Sequence, residues 1–201
     1  FSLELTDHID WKGRNLIAVK VDSREQADVP PFGGCLDYMT FGGIYRQVQL
    51  RIVPQVHIEN VFAKPVNVTK KNRALEIQCF LNFDNDPARN YCLKSELLDN
   101  RRILSSSGTA DADKITTLRI TNLEQIELWD VENPKLYNVR VRLYQENQYI
   151  DEFTVKVGFR DARFTSKGFY LNGKRLQLMG LNRHQTYPFI GAAAPKRLQR
   201  R

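Results

Sequence analysis

Between residues 54 and 160 the sequence consists of short segments in which apolar and polar side chains alternate, separated by residues that favour turns. A two-residue period places apolar side chains on one face of a strand, and short strands divided by turns are typical of a β-sandwich. No stretch of this region has the period of a long amphipathic helix, so we expect a mainly β fold. The predicted strands cover 57–65, 74–83, 91–99, 115–123, 136–145 and 149–159.

Turn-forming residues divide these strands at 84–87, 99–100, 105–108 and 146–147. Two further strands are predicted nearer the N-terminus. The first, at 15–21, is apolar on both faces, which suits the interior of a sandwich. In the second, at 45–53, Val48, Leu50 and Ile52 share one face.

Two segments depart from this pattern. Residues 23–43 form a long connection with two prolines and four glycines, and loops of that length are normally functional or disordered. Near the C-terminus, Asn172-Gly173 predicts a tight hairpin, and the strand from Arg175 leads into a polar loop and then to Pro195 at the start of a helix. A strand, a loop and a helix begin a βα unit, so we expect the chain to be a fragment that stops at the entrance to an α/β domain.

The composition limits the classes of protein to which the chain can belong. No apolar run approaches the about 20 residues that a membrane helix needs. Cys35, Cys79 and Cys92 have neither disulfide nor zinc spacing, which favours reduced thiols and a cytoplasmic location. The net charge of +7 comes from residues 160–201, which hold ten Lys and Arg and one acid. No nucleic-acid motif accompanies that basic segment, so we expect no nucleic-acid partner.

Three motifs carry a resemblance to a known family. They are GGIYRQVQL at 42–50, LWDVENPKLY at 128–137 and VGFRDARFTSKGFYLNGKRLQLMGLNRHQTYP at 157–188. In this order and spacing the chain resembles glycoside hydrolase family 2 over essentially its whole length, and within it the bacterial β-galactosidases. The resemblance implies the C-terminal part of a jelly-roll sugar-binding domain at 1–53, an immunoglobulin-like β-sandwich at 54–160, and the lead-in and first strand of a truncated TIM barrel at 161–201.

The resemblance also implies an activity, namely retaining hydrolysis of terminal β-D-galactosides by two glutamates. In the family both glutamates lie on later barrel strands, so the chain alone is expected to be inactive and to contain no catalytic residue. Its own carboxylates offer no substitute pair, and Glu96 is interpreted as part of a solvated strand face. Two alternatives stay open: a β-glucuronidase of the same family, and a non-catalytic β-sandwich module that binds carbohydrate or protein.

By the same resemblance, Asp37 and His184 are candidate substrate-binding residues. Asp37 stands nine residues before Arg46, and a carboxylate can accept hydrogen bonds from two neighbouring sugar hydroxyls. His184 falls where the first barrel strand would end, the edge at which barrel active sites are built. Without the resemblance, each residue has a structural interpretation: Asp37 as a loop acid in an Asx-turn, and His184 as a structural histidine. Asn182 and Arg183 are interpreted as supporting residues that orient the loop.

One position departs from the family pattern, because Met179 stands where many members carry an arginine and cannot donate a hydrogen bond. Arg46 and Trp129 are interpreted as structural. The family implies Mg²⁺ and Na⁺ for the intact protein, with ligands largely outside this chain, although Asp37 could join a Na⁺ shell. It also implies homo-oligomers. Unpaired strand edges in such a fragment also predict self-association.

Overall fold

The structure is a computed structural model and describes residues 2–24, 26, 28, 42–82, 90–109, 111–183 and 186–200. The chain divides into two compact units. The larger unit is Arg51–Gly180, and the smaller combines Phe1–Leu50 with Leu181–Arg201.

Seven antiparallel strands of the larger unit form a two-layer sandwich. In chain order they are β1 (His57–Val66), β2 (Ala74–Asn82), β3 (Tyr91–Asp99), β4 (Arg102–Thr109), β5 (Ile115–Ile120), β6 (Tyr137–Gln145) and β7 (Gln148–Val157). One sheet has the order β1-β2-β5, and the other has the order β4-β3-β6-β7. The predicted immunoglobulin-like sandwich is therefore confirmed.

Alternation along the strands builds the core between the two sheets. In β3, Leu93, Ser95 and Leu97 are buried, whereas Lys94 is exposed on the opposite face. Each large apolar side chain that is fully buried contributes about 1.5–3 kcal/mol to folding. The largest fully buried side chains come from both sheets and the segments that flank them: Tyr137, Phe159, Ile58, Leu75, Ile77, Leu93, Leu97, Ile120, Leu143, Val139, Val141 and Cys79.

Polar contacts join the layers where apolar packing alone would leave backbone groups unpaired. The backbone N–H of Ile58 in β1 donates to Asp151 Oδ2 in β7 at 2.8 Å. The buried Tyr137 hydroxyl accepts a hydrogen bond from the N–H of Glu127 at 2.9 Å. The Tyr137 ring meets Phe159 edge-on, with ring centroids 5.7 Å apart.

One predicted turn in this region is wrong. Residues 105–108 were expected to form a turn because they are serine and glycine, but they lie inside β4, which pairs with β3 along its length. The hydroxyl of Ser95 donates to the carbonyl of Ser107 at 3.1 Å, so this edge strand is held by side-chain as well as ladder bonds. Cross-strand pairing here outweighs the weak strand preference of the residues. The predicted turn at 84–87 lies outside the described residues.

A small antiparallel sheet follows the sandwich within the same unit. It contains β8 (Ala162–Thr165), β9 (Gly168–Leu171) and β10 (Lys174–Arg175), in the order β10-β9-β8. Asn172 and Gly173 connect β9 to β10 with φ angles of 51° and 81°, the left-handed pair that a two-residue type I′ turn requires. The predicted hairpin is confirmed.

Two strand predictions in the N-terminal quarter of the chain are wrong. Residues 15–21 and 45–53 pair with no strand, and their apolar side chains, such as Leu16 and Val48, are exposed. A strand exists only where its backbone groups bond to a neighbour, and the described part of the smaller unit contains no strand, nor do residues 51–56. Among its described residues the smaller unit has one short 3₁₀ turn, Thr6–His8. The jelly-roll assignment stays a prediction.

The C-terminal segment also differs from expectation. The strand predicted to run from Arg175 ends at that residue, and 176–183 form no strand. The helix, α1 (Lys196–Gln199), is a single turn, and Pro195 lies at its N-cap position with ψ 157° where N1 was expected. The structure therefore does not show a barrel strand, and the TIM-barrel and domain-boundary assignments stay predictions.

Candidate functional site

Both predicted sugar contacts, Asp37 and His184, lie outside the described residues. Their supporting partners, Asn182 and Arg183, are described and exposed. Arg183 Nη2 donates to the Tyr187 hydroxyl at 3.1 Å, and that hydroxyl lies 3.5 Å from the carbonyl oxygen of Leu198. Arg183 is thus connected through Tyr187 to α1.

The chain after Arg183 closes into a tight loop. Tyr187 and Gly191 exchange two backbone hydrogen bonds, of 3.0 and 2.9 Å. Phe189 and Gly191 within this loop have φ angles of 68° and 53°, in the left-handed region. The loop fixes the position of Tyr187, and Tyr187 in turn holds the guanidinium of Arg183.

A second set of motif residues forms a junction between the sandwich and the β8-β9-β10 sheet. The backbone N–H of Trp129 donates to the backbone carbonyl of Phe159 at 2.9 Å, and the side-chain amide of Asn172 donates to the backbone carbonyl of Trp129 at 3.0 Å. Asn172 Oδ1 accepts from the N–H of Asp161 at 3.0 Å. The Arg160 guanidinium lies 5.0 Å from the centre of the Trp129 ring. Trp129 is therefore a structural residue in the geometry as well as in the sequence interpretation.

Gly158 lies close against Trp129 at this junction. A Cβ atom at position 158 would lie 3.1 Å from both Cβ and Cδ1 of the tryptophan, closer than nine in ten real contacts of that kind. A larger residue at 158 would therefore force the tryptophan to shift by a few tenths of an ångström. Residues of the two motifs, 128–137 and 157–188, thus contact one another and join the sandwich to the β8-β9-β10 sheet.

A cleft of about 330 Å³ lies beside this junction. Asp161 and Arg163 are two residues apart along β8 and its lead-in, and Tyr170 is the register partner of Arg163 on β9. The polar residues that line the cleft are Thr69, Asp161, Arg163, Thr165, Tyr170 and Asn172. Our sequence interpretation did not single this set out, although the alternation in DARFT at 161–165 places three polar side chains on one face.

Asp161 and Arg163 form a two-point ion pair in the cleft. Arg163 Nε donates to Asp161 Oδ1, and Arg163 Nη2 donates to Oδ2, both at 2.8 Å. The hydrogen bond to Asp161 raises the pKa of Arg163, so the guanidinium stays charged. The pair presents acceptors and donors side by side with no net charge.

The outer face of the four-stranded sheet carries a different charged cluster. Arg140 Nη2 contacts Glu96 Oε2 at 2.6 Å, and Arg142 Nε contacts Glu152 Oε2 at 2.9 Å. Glu96 was expected to be solvated, but its side chain is only 18% exposed because the two arginines cover it. Both glutamates are engaged in a cross-strand ion-pair ladder, which is a structural use of carboxylates.

The described residues contain no group of three or more His, Cys, Asp or Glu that could hold a metal ion. No helix in the described part of the chain is long and apolar enough to cross a bilayer. Cys79 and Cys92 are free thiols. Burial, followed by the charge of Asp151, raises the pKa of the Cys79 thiol to about 12.

Comparison with known proteins identifies a family for the sandwich region of the chain. The model of glycosyl hydrolases family 2 matches residues 56–160. β-Galactosidases of Thermoanaerobacterium thermosulfurigenes and Thermoanaerobacter pseudethanolicus are each 38% identical to the chain, over 99% and 100% of it. The match covers 28% and 27% of those proteins, so the chain spans about a quarter of the length of the curated relatives it matches.

A solved structure extends the comparison to the fold. A Bacteroides uniformis β-glucuronidase superposes with a TM-score of 0.74 and 28% identity, over 90% of this chain and 23% of that one. The family model covers more than half of the chain and coincides with the sandwich of β1 to β7. The chain belongs to glycosyl hydrolases family 2.

Proposed function

We propose that the protein to which this chain belongs is a retaining β-galactosidase that removes terminal β-D-galactosyl units. The observation that carries this proposal is the identity to two β-galactosidases, which extends over 99% and 100% of the chain and so beyond the sandwich that the family model matches. It therefore includes the segments that hold Asp37 and His184.

In this proposal the chain supplies sugar contacts and leaves the chemistry to residues outside it. Asp37 binds two adjacent hydroxyls of the galactose ring and fixes its orientation. His184 donates a hydrogen bond to a sugar oxygen as positive charge develops on the ring. Arg183 and Asn182 orient the loop around His184, and the bond from Arg183 to Tyr187 supports that role.

β-Glucuronidase is the second candidate, favoured by the fold match to the Bacteroides uniformis enzyme. The galactosidase assignment comes first because the identity is 38% for the β-galactosidases and 28% for that glucuronidase. A purely non-catalytic module is the third reading, and an inactive full-length protein would favour it. For the intact protein we also propose a homo-oligomer and a cytoplasmic location, the latter supported by the free thiols of Cys79 and Cys92.

Substitution of Asp37 by alanine in the full-length protein tests the role of this chain. The wild type is expected to hydrolyse an aryl β-D-galactoside. Loss of a carboxylate that binds two hydroxyls should lower kcat/KM about 10- to 100-fold, since hydrogen bonds to charged groups contribute about 1.5–3 kcal/mol.

Asp28→Ala is the matched control, because Asp28 is an exposed acid in the same connection. It should leave kcat/KM unchanged. Wild-type kcat/KM in Asp37→Ala would show that the sugar-binding assignment is wrong, and a wild type without glycosidase activity would contradict the proposed function itself.

A further inference from the structure

The small sheet beside the sandwich has two chemically different faces. Phe164 and Phe169 face one another across β8 and β9, with ring centroids 4.8 Å apart. Arg163 and Tyr170, the next pair in register, must point to the opposite face because side chains alternate along a strand. That opposite face lines the cleft of about 330 Å³.

The cleft retains unused hydrogen-bonding capacity. A guanidinium has five N–H donors, and Asp161 engages two of the Arg163 nitrogens. The Asp161 carboxylate likewise keeps acceptor capacity beyond its bonds to Arg163. Within the described residues, the hydroxyls of Thr69 and Tyr170 make no hydrogen bond that would occupy them, whereas the amide of Asn172 already makes two hydrogen bonds in the junction.

The charge balance of the cleft selects the kind of ligand. An isolated arginine would favour an anion, and an isolated aspartate would favour a cation. Asp161 and Arg163 neutralise one another at 2.8 Å and still present an acceptor beside a donor. A vicinal pair of hydroxyls matches that arrangement, because each hydroxyl can both donate and accept.

Tyr170 adds an apolar surface to these polar groups. Its ring is partly exposed at the cleft, directly across the sheet from Arg163. A pyranose ring combines a face of C–H groups with an edge of hydroxyls, so an aromatic ring beside a paired donor and acceptor suits it. The cavity also lies within the range of about 300–1,000 Å³ typical of small-molecule sites.

We propose that this cleft binds a neutral pyranose unit of a saccharide, with Tyr170 against the ring and the Asp161–Arg163 pair on two adjacent hydroxyls. The inference rests on the proposed function only for the choice of a galactose-containing saccharide as the probe. Binding here requires no hydrolysis and none of the residues assigned to the galactosidase site.

Titration of the ¹⁵N-labelled 201-residue chain with lactose tests this inference. The amide signals of Arg163, Tyr170 and their neighbours in the cleft should shift in a saturable manner. Arg163→Ala and Tyr170→Ala should each weaken binding by about tenfold, the loss expected for one hydrogen bond to a charged group or one ring contact. Tyr170→Phe keeps the ring and should weaken binding less than Tyr170→Ala.

Lys174→Ala is the matched control, since it removes a positive charge from β10 and Lys174 does not line the cleft. It should bind lactose as the wild type does. Absence of shifts in the cleft of the wild type would overturn the inference, as would unchanged binding by Arg163→Ala, or a stronger response to glucuronate than to lactose. Hydrolysis by the full-length protein is measured separately, so failure here and failure of the galactosidase proposal can be told apart.

Discussion

At the scale of single residues, the structure separates groups that carry interactions from groups that only look chemically suggestive. Glu96 and Glu152 are carboxylates on one sheet face, yet arginines engage both. Trp129 belongs to the family motif, and its contacts with Gly158, Arg160 and Asn172 are structural. Asp37 and His184 rest on the resemblance alone, and nothing in their sequence neighbourhood separates a sugar contact from a loop residue.

The Cys79 thiol should be protected from alkylation in the folded chain. Burial raises its pKa to about 12, so almost none of it is thiolate at neutral or mildly alkaline pH. After treatment of the native chain with iodoacetamide at mildly alkaline pH, mass spectrometry should find Cys79 unmodified and the half-buried Cys92 modified. Denaturation should expose both thiols.

The same pKa sets a direction for stability against pH. The folded pKa lies above the reference value of 9.0, so this thiol's contribution to stability is complete below pH 9 and is lost as the pH rises toward 12.

In the labelling experiment, equal modification of Cys79 and Cys92 in the native chain would contradict the burial of Cys79.

At the scale of elements, the sequence predicts strands well where alternation coincides with pairing. β3 runs over the predicted 91–99 because its apolar positions face the core and turn residues follow it. β4 was missed because serines and a glycine have the composition of a turn, and only its register with β3 makes it a strand. An apolar run at 15–21 and alternation at 45–53 predicted strands, but a pattern in one segment cannot supply the neighbour that a strand needs.

Asn172 should hold the small sheet onto the sandwich. Its side chain makes two hydrogen bonds, to Asp161 and Trp129, so Asn172→Gly should lower the free energy of unfolding by about 1–3 kcal/mol. Glycine is chosen because it accepts the φ angle of 51° at this position. Denaturant unfolding measures the change.

Asn147→Gly is the control for the backbone effect of glycine. Asn147 has a φ angle of 68° in the turn between β6 and β7, and its side chain makes no hydrogen bond to the described residues. The two variants share the added freedom of the unfolded chain, so their difference isolates the side-chain bonds. Equal stabilities for the two would refute the role given to Asn172.

At the scale of the whole molecule, the two units differ in how much apolar surface they bury. The sandwich unit contains the core, whereas Leu16, Ile17, Val48 and Leu50 of the smaller unit are more than half exposed. Large apolar side chains that are exposed to water favour association between copies. The sequence pattern identifies these side chains as apolar positions of predicted strands but does not say what covers them.

The 201-residue chain is therefore expected to self-associate in size-exclusion chromatography with light scattering. Leu50→Lys should shift the distribution toward monomer, because a charge on an exposed apolar surface opposes association. Val131→Lys, which replaces a similarly exposed aliphatic side chain within the sandwich unit, should have less effect. A wild-type chain that elutes as a clean monomer would contradict this expectation.

The family assignment rests on the sandwich, and the galactosidase proposal rests on the identity that extends beyond it. The most direct test compares kcat/KM of the full-length protein for aryl β-D-galactoside and aryl β-D-glucuronide. We predict a preference for the galactoside of about 100-fold or more, since a site built for a neutral hydroxymethyl group leaves a carboxylate unpaired. A preference for the glucuronide, or hydrolysis of neither substrate, would contradict the account.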